Sequence, residues 1–471
     1  MNAASALTLP LERQRANAIL AERVTAATFV ISDILAVGSA FAITVTVRGA
    51  LAGESLWPQY FRLAPFLAAI PLLIALMDLY PGVLLNPVDE FRRMTIAIAV
   101  GMSFVVVSTF LLKDSSTYSR LVFLTAIPLN VVLALGGRSL VRKIFRNVAW
   151  WGVPTVLVGP RDDIERMRLA VELQPWIGIR AVGVVQADAV GANLLAKERI
   201  GQAAIPYALV MVPPGAGREW IRQVERMAWG CKKMIVVPQS MQLLWSWMRV
   251  RDCCGVAGLE VRRELLQYRS RLVKRSIDVA LALIGGVLIT PGLIVIALLI
   301  KLTSRGPVFY GHRRLGIGNA TFLAWKFRTM VTNSDELLEQ HFQQNPESRR
   351  EWESDQKLRN DPRVTRVGHF LRRTSLDELP QIWNVINGEM SLVGPRPIVR
   401  AEAERYGEEF DLYQRVRPGI TGLWQVSGRS NTTYRDRVEM DVHYVRNWSV
   451  WLDFYLLART VAVVLRKQGA Y

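Results

Sequence analysis

Cysteine is scarce in this chain of 471 residues, which contains only Cys231, Cys253 and Cys254. The number is odd and no Cys-x-x-Cys pair occurs, so the sequence predicts neither a disulfide framework nor a zinc site. Reduced thiols, as in the cytoplasm, are the expectation.

Negative charge is also in short supply. The chain has 40 Asp and Glu against 58 Lys and Arg, a formal net charge of +18. Such an excess suits a nucleic acid, an anionic membrane surface or a phosphate-rich substrate. Because 51% of the residues are hydrophobic and no nucleic-acid-binding motif accompanies the charge, we expect a membrane and phosphates rather than nucleic acid. The length and the mean hydropathy of +0.19 predict two or three domains plus membrane segments.

The first 23 residues lack the hydrophobic core and cleavage site of a signal peptide, so residues 1–23 are predicted to stay as a cytoplasmic segment. Four apolar stretches follow, each near the roughly 20 residues that cross a bilayer. They are Val24–Val47, Phe61–Tyr80, Met94–Leu112 and Leu121–Leu135. We predict a four-helix transmembrane bundle over residues 24–148, with both ends in the cytoplasm.

The orientation of the bundle depends on positive residues that flank one side of the spans. They are Arg13, Arg15, Arg23, Arg92, Arg93, Arg138, Arg142, Lys143 and Arg146. Two acids, Asp33 and Asp78, lie in or beside the spans and admit either a functional or a structural role.

A glycine-rich dinucleotide turn is missing from the next region, residues 149–262. Its β-branched runs predict strands at Val153–Val158, Arg180–Val185, Tyr207–Val212 and Met234–Val237, with helices at Asp162–Leu173 and Gly217–Trp229. This alternation is typical of a Rossmann-like parallel α/β sheet. Because the first turn, Val158-Gly159-Pro160-Arg161, has one glycine where the fingerprint needs three, we expect no nucleotide cofactor but a structural or dimerising role.

Residues 263–471 form the third predicted domain, which opens with the apolar run Ile277–Ile300. Basic residues flank this run on both sides, which argues against crossing. Pro291 cannot donate a helical hydrogen bond, and Thr290 offers a local side-chain bond. We therefore predict a re-entrant helix with a break at Thr290-Pro291; a kinked spanning helix is the alternative.

Two adjacent carboxylates stand out in the stretch from Arg372 to Pro380. Asp377 and Glu378 follow two arginines, and more cations lie in Lys326-Phe327-Arg328 and around Arg396 and Arg429. Cations gathered around a carboxylate pair indicate phosphate chemistry. The alternative is a capping box, with Ser375 as N-cap and Glu378 at the third helical position.

Two further helices are predicted in this domain. One runs from Ser375 to Asn387 and closes at Asn387-Gly388. The other, Trp448–Leu465, has a broad apolar face but carries Asp453 and Arg459 in its middle, which favours an interfacial amphipathic helix over a further span.

The segment Lys274–Tyr471 resembles the bacterial sugar transferase family, the monotopic polyprenyl-phosphate glycosyl-1-phosphate transferases, through a series of ordered motifs. They are Lys274-Arg275-Ser276-Ile277-Asp278, Gly306-Pro307-Val308-Phe309-Tyr310, Lys326-Phe327-Arg328-Thr329-Met330, Asp361-Pro362-Arg363-Val364-Thr365, Ser375-Leu376-Asp377-Glu378-Leu379-Pro380-Gln381, Gly394-Pro395-Arg396-Pro397 and Gly422-Leu423-Trp424-Gln425-Val426-Ser427-Gly428-Arg429. Four spans followed by an α/β domain look like the large subfamily, which resembles the undecaprenyl-phosphate galactose and glucose phosphotransferases.

The resemblance implies the transfer of a hexose 1-phosphate, galactose or glucose, from a UDP-sugar to undecaprenyl phosphate with release of UMP. It places this step at the start of exopolysaccharide, capsule or O-antigen synthesis, in the bacterial inner membrane with the catalytic domain on the cytoplasmic face. It further implies a magnesium ion, inner-membrane lipids as partners and a homodimer.

The family's site residues carry over to matching positions here. Asp377 is implied to be the nucleophile that forms a covalent aspartyl-phosphosugar, and Glu378 a metal ligand or base. Which of the two carboxylates binds the metal stays open. The substrate-binding positions are Lys326, Arg328, Arg372, Arg373, Arg396, Gln425 and Arg429.

Two other classes of protein are alternatives. A membrane-anchored nucleotide-sugar dehydratase or epimerase would need a glycine-rich turn and a Tyr-x-x-x-Lys pair, and the sequence has neither. A non-enzymatic scaffold for polysaccharide assembly would leave the carboxylate pair dispensable, so replacement of Asp377 by asparagine distinguishes it from an enzyme.

Overall fold

The computed structural model describes a large part of the chain, in which residues cluster into two compact units, Met1–Leu244 and Trp245–Tyr471. The described residues are 11–111, 117–148, 150–174, 177–188, 191–192, 205–213, 220, 231, 233–238, 248–253, 256–261, 265, 267–332, 334–344, 361–427 and 433–465.

The first unit begins with four apolar helical segments where four spans were predicted. They are α1 (Leu11–Ala52), α2 (Trp57–Leu76), α3 (Pro87–Leu111) and α4 (Arg120–Phe145). The segment α2 is a run of short helices, since prolines within it remove backbone donors. With Tyr268–Thr303 of the second unit, five helical segments in the described ranges are long and apolar enough to cross a membrane.

A buried arginine joins three parts of the helical region. Arg138 was expected to flank the fourth span, but α4 continues past it and its side chain is 0% exposed. Its Nη2 lies 2.7 Å from Asp33 Oδ2 on α1, and its Nη1 lies 3.0 Å from Glu90 Oε1 on α3. Tyr80 also donates to Asp33, at 2.8 Å. These contacts favour the structural role of Asp33 over the functional one.

The α/β part of this unit confirms the predicted strands. The sheet has the order β3-β2-β1-β4-β5, with β1 (Val153–Gly159), β2 (Ile179–Asp188), β3 (Gly191–Ala192), β4 (Tyr207–Val212) and β5 (Lys233–Pro238). All neighbours pair in parallel except β2 and β3. The helix predicted at Asp162–Leu173 is α5 (Arg161–Leu173), whereas most of Gly217–Trp229 lies outside the described residues.

The single glycine of the degenerate turn has a packing role. Gly159 has a φ of +153°, and a Cβ on it would lie 2.8 Å from the Met211 carbonyl oxygen on β4. A side chain there would force the end of β1 away from its neighbour.

The second unit is built around the helix α6 (Tyr268–Thr303) and the hairpin of β8 (Phe309–Leu315) and β9 (Thr321–Phe327). A further hairpin, β6 (Met248–Cys253) with β7 (Val256–Val261), was not predicted. Its other elements are α7 (Ser334–Gln344), α8 (Arg366–Thr374), the 3-10 helix Leu376–Gln381, α9 (Ile382–Asn387), β10 (Ser391–Val393), the 3-10 helix Arg400–Glu409, α10 (Phe410–Tyr413), β11 (Gly419–Thr421), α11 (Leu423–Ser427), α12 (Tyr434–Asn447) and α13 (Val450–Leu465).

The predicted break in α6 does not end the helix. The structure assigns one continuous helix with Pro291 inside it, and the Thr290 hydroxyl donates to the Gly286 carbonyl at 2.7 Å. Its acceptor is the residue directly before Val287, whose carbonyl Pro291 leaves without its usual helical donor. The re-entrant path of α6 stays a prediction.

The acid in the last helix, α13, is buried within the protein. Asp453 Oδ2 lies 2.8 Å from Lys274 Nζ at the start of α6, and Tyr444 donates to Asp453 Oδ1 at 2.7 Å. The Trp448 indole nitrogen donates to the same carboxylate at 2.9 Å. Asp453 and Trp448 therefore fix α13 to its own domain, and Trp448 belongs to the core.

Replacement of Asp33 by asparagine should destabilise the protein without slowing the catalysis of the folded fraction. Removing one partner of a buried ion pair costs about 3–5 kcal/mol, and here it leaves Arg138 to share the single carboxylate of Glu90 with a second arginine. Thermal unfolding in detergent measures the loss. The control is Asp89→Asn, which breaks an exposed pair with Arg92 and should cost under about 1 kcal/mol. Unchanged stability with lost activity would instead make Asp33 a functional acid.

Candidate active site

The carboxylate pair follows an abrupt change of chain direction. The helix α8 ends at Thr374, Ser375 adopts a left-handed conformation with φ of 56°, and the 3-10 helix Leu376–Gln381 carries Asp377 and Glu378. The Ser375 side chain makes no capping bond, so the capping-box alternative is wrong. With Ser375 left-handed, the geometry that an N-cap residue needs is lost.

Glu378 forms an ion pair with Lys326 of β9. The Lys326 Nζ lies 2.7 Å from Glu378 Oε1, and both side chains are about three-quarters buried, with 25% and 22% exposure. Burial alone would raise the pKa of Glu378, but the charges of Lys326 and Arg396 hold that pKa below its usual value. Glu378 is therefore ionised at neutral pH.

Asp377 is in a different situation from its neighbour. Burial raises the pKa of Asp377 to about 6, and the adjacent Glu378 charge adds to the effect, while Lys326 and Arg372 oppose it. Within the described part of the chain, no side chain donates a hydrogen bond to its carboxylate. At pH 7 to 8 Asp377 is mostly ionised and has oxygen atoms available for a substrate.

Two of the predicted arginines lie beside this pair. Arg372, at the end of α8, is near enough for its charge to lower the pKa of Asp377, and its Nε donates to the Thr329 hydroxyl at 3.0 Å. Arg396 follows β10, and its charge acts on Glu378. The structure thus brings Lys326, Arg372, Asp377, Glu378 and Arg396 together.

Arg314 is a member of the site that was missed. It lies on β8, its charge lowers the pKa of Glu378, and its Nη1 donates to the Pro397 carbonyl at 3.2 Å. The hairpin pairs Tyr310 with Lys326, and alternate residues of a strand share a face. Arg314 was therefore recognisable from the spacing Tyr310-x-x-x-Arg314 once the hairpin register was known.

The remaining predicted residues differ in their surroundings. Arg328 is buried, and its Nη2 donates to the Ser304 hydroxyl at 2.6 Å and the Ser304 carbonyl at 3.0 Å, at the end of α6. Arg373 is exposed. The Gln425 amide donates to the Ile420 carbonyl at 2.9 Å. Arg429 lies outside the described residues. Their predicted contacts with substrate stay predictions.

The site suits a metal ion that is shared with a substrate. Among the described residues no group of three or more His, Cys, Asp or Glu side chains is placed to hold an ion. Magnesium commonly takes one or two carboxylates and fills its other positions with water and substrate phosphates. Asp377, which no described side chain bonds, and Glu378 provide such a pair, so the residues present fit a magnesium ion bound with a diphosphate.

Residues 269–467 match the family model described as bacterial sugar transferase. The chain is 35% identical over 366 residues to the UDP-galactose-lipid carrier transferase of Erwinia amylovora. The aligned residues cover 75% of this chain and 76% of that protein. It is 36% identical over 369 residues to the undecaprenyl-phosphate galactose phosphotransferase of Salmonella typhimurium, covering 75% and 77%.

A third relative differs in the sugar that its name specifies. The chain is 33% identical over 361 residues to the UDP-glucose:undecaprenyl-phosphate glucose-1-phosphate transferase of Escherichia coli, covering 71% of this chain and 74% of the relative. Apolar helices, a cation-lined carboxylate pair and these similarities define a membrane-associated phosphoglycosyl transferase. The chain belongs to the bacterial sugar transferase family.

Replacement of Lys326 by methionine should lower the transferase rate at least about 100-fold, because Glu378 loses its counter-charge and the site loses a preorganised cation. Lys326→Arg should keep part of the activity. Arg435→Met, which removes an 89% exposed cation, is the control and should leave the rate within twofold. Rates are measured on membranes with matched amounts of folded protein. If the transferase rate of Lys326→Met stays within tenfold of wild type, Lys326 does not contribute to catalysis as stated here.

Proposed function

We propose that this enzyme transfers a hexose 1-phosphate, galactose or glucose, from a UDP-sugar to undecaprenyl phosphate and releases UMP. The name of the Escherichia coli relative gives UDP-glucose and undecaprenyl phosphate, that of the Erwinia relative UDP-galactose and a lipid carrier, and that of the Salmonella relative undecaprenyl phosphate and galactose. The observation that carries the proposal is that the two carboxylates have different partners. Glu378 forms an ion pair with Lys326, whereas Asp377 accepts no hydrogen bond from a side chain among the described residues.

In the first step, an ionised oxygen of Asp377 attacks the β-phosphorus of the UDP-sugar. The new bond joins aspartate oxygen to phosphorus, and the bond from that phosphorus to the bridging oxygen breaks. UMP leaves with the bonding electrons, and the sugar 1-phosphate remains as an acyl phosphate on Asp377. Arg372 and Arg396 lie where their charges can stabilise the negative charge that the phosphates acquire.

In the second step, a phosphate oxygen of undecaprenyl phosphate attacks the same phosphorus. The aspartate–phosphorus bond breaks, Asp377 regains its carboxylate, and the product is a lipid diphosphate sugar. No proton transfer is required in either step when the attacking groups are ionised, which agrees with a site that has cations rather than a general acid close to Asp377.

We also propose that Asp377 and Glu378 hold a magnesium ion together with the donor diphosphate. When bound, such an ion offsets charge on the phosphates. Lys326 keeps Glu378 ionised, as a metal ligand must be. The ion pair at 2.7 Å also fixes which oxygen of Glu378 is engaged by protein and leaves the other carboxylate oxygen for the ion.

The proposed location is the bacterial inner membrane, with the catalytic domain in the cytoplasm, where UDP-sugars are made. The helix α6 would enter and leave by the cytoplasmic leaflet and contact inner-membrane lipids. Its basic flanks and the apolar residues exposed along it, such as Val287 and Leu288 at 74% and 75%, support this path. We further propose that the protein acts as a homodimer, as its resemblance to the large subfamily implies. Its product would begin a repeat unit of exopolysaccharide, capsule or O-antigen.

Replacement of Asp377 by asparagine should abolish the transfer of label from a panel of radiolabelled UDP-sugars to undecaprenyl phosphate. The amide cannot form the acyl phosphate. The control is Asp411→Asn, which changes an exposed carboxylate paired with Arg415 and should keep full activity. The label that wild type incorporates identifies the sugar. Asparagine variants that retain more than about a tenth of the rate would contradict the nucleophile, and full activity would favour a scaffold.

A cysteine placed at Glu404, exposed in the catalytic domain, should react only with a membrane-permeant thiol reagent, because the cytoplasmic side is predicted for it. The three native cysteines are first changed to serine. A cysteine at Glu54, exposed between α1 and α2, is the matched reporter and should react with an impermeant reagent from outside. Changing both Thr290 and Pro291 to leucine should place the catalytic domain outside in a fraction of the molecules. The cysteine at Glu404 in that fraction should then react with the impermeant reagent. External labelling at Glu404 in the unaltered helix would refute the re-entrant path.

A further inference from the structure

An alternating stack of guanidinium groups and aromatic rings extends from the active site. The Arg396 guanidinium carbon lies 5.6 Å from the Trp424 ring centroid, and that of Arg437 lies 5.1 Å from the same ring. Arg437 is also 5.1 Å from the Tyr434 ring, and Arg405 covers Tyr434 at 5.2 Å. Each ring in the series contacts two cations, so the five side chains are arranged as one stack.

The middle of the stack is held by rings more than by hydrogen bonds. Arg437 forms one ion pair in the described part of the chain, with Glu402 at 3.3 Å, and its Nε and Nη2 are buried without a hydrogen-bond partner. Cation–π attraction is strongest for a desolvated guanidinium between aromatic faces. Arg437 therefore depends on Trp424 and Tyr434 for its position, and the ring of Trp424 is in turn fixed by its contact with Arg437.

The end of the stack that faces the active site has free donors. The guanidinium of Arg396 forms no hydrogen bond or ion pair with any described residue, although the side chain is half-buried beside Glu378. Its backbone is held, since Tyr413 donates to the Arg396 carbonyl at 3.2 Å and the Gly419 amide donates to the Pro395 carbonyl at 2.8 Å. A guanidinium that is held over a ring and not by hydrogen bonds keeps its N–H groups available for a planar fork to phosphate.

The two sides of the catalytic 3-10 helix differ in what they pack against. Leu376, next to Asp377, packs against a buried cluster that includes Ile300 of the apolar helix α6. The loop of Arg396 belongs to another cluster, in which Ile398 packs with Tyr413 and no α6 residue takes part. The lipid acceptor therefore has its natural approach on the α6 side, and a water-soluble nucleotide on the Arg396 side.

We propose that Trp424 and Arg437 are positioning residues that hold Arg396 for the diphosphate of the nucleotide-sugar donor. This inference rests on the proposed function, because it assigns one of the two substrates to one side of the site. It adds that Trp424 acts on donor binding through Arg396 and does not act on the lipid acceptor.

The test compares variants of the full-length enzyme in membranes. Trp424→Leu removes the ring, Trp424→Phe retains an aromatic face, and Arg435→Met, which removes an 89% exposed cation from the same helix as Arg437, is the control. We expect Trp424→Leu to raise KM for the UDP-sugar roughly three- to thirty-fold, the range expected for the loss of a cation–π contact. Trp424→Phe should recover most of that change, and the KM for undecaprenyl phosphate should stay within twofold in all three variants.

A double-mutant cycle separates positioning from general destabilisation. If Trp424 acts through Arg396, adding Trp424→Leu to Arg396→Met should raise the donor KM no further than Arg396→Met alone. Additive effects, an equal rise in the acceptor KM, or an unchanged donor KM in Trp424→Leu would each overturn the proposal. Thermal unfolding shows whether each variant folds, and Arg437→Met replaces Trp424→Leu under the same criteria if the latter does not. A wild-type enzyme without transfer would instead refute the proposed function, which the same assay shows directly.

Discussion

The active site depends on the ion pair between Lys326 and Glu378. Two adjacent carboxylates on one short helix repel each other, and burial makes the repulsion stronger. The ammonium group of Lys326 lies 2.7 Å from Glu378 and balances its negative charge, so Glu378 stays ionised. Burial meanwhile raises the pKa of Asp377 to about 6. The pair therefore has two chemically different members, one engaged by the protein and one available to a substrate.

The position of this pair follows from the hairpin and the membrane helix. The strand β9 presents Lys326, and β8 places Arg314 on the same face through the Tyr310 to Lys326 register. On the other side, Leu376 anchors the start of the 3-10 helix in an apolar cluster with α6. In the proposed exchange the lipid tail can thus lie along α6, while its phosphate attacks from the side that UMP has left, opposite Asp377.

The sequence predicted the parts of the fold that depend on local pattern. Apolar length indicated the four helical segments, β-branched runs indicated the parallel strands, and the motifs located Asp377 and Glu378. Long-range contacts were not predictable. Arg138 was read as a flanking charge because its partner Asp33 is 105 residues away. The capping box was wrong because Ser375 closes the preceding helix α8 in a left-handed conformation, and the site role of Arg314 needed the hairpin register. Asp453 was interpreted from its helix alone, although Lys274 determines its surroundings.

The most direct test of the account is to mix the purified enzyme with a UDP-sugar and no lipid acceptor, and to measure UMP release in the first turnover. A covalent route through Asp377 predicts a burst of about one UMP per active site, together with a sugar phosphate on the peptide that contains Asp377, detected by mass spectrometry. Subsequent addition of undecaprenyl phosphate should remove that modification. Transfer that proceeds with no burst and no modified peptide would contradict the covalent route.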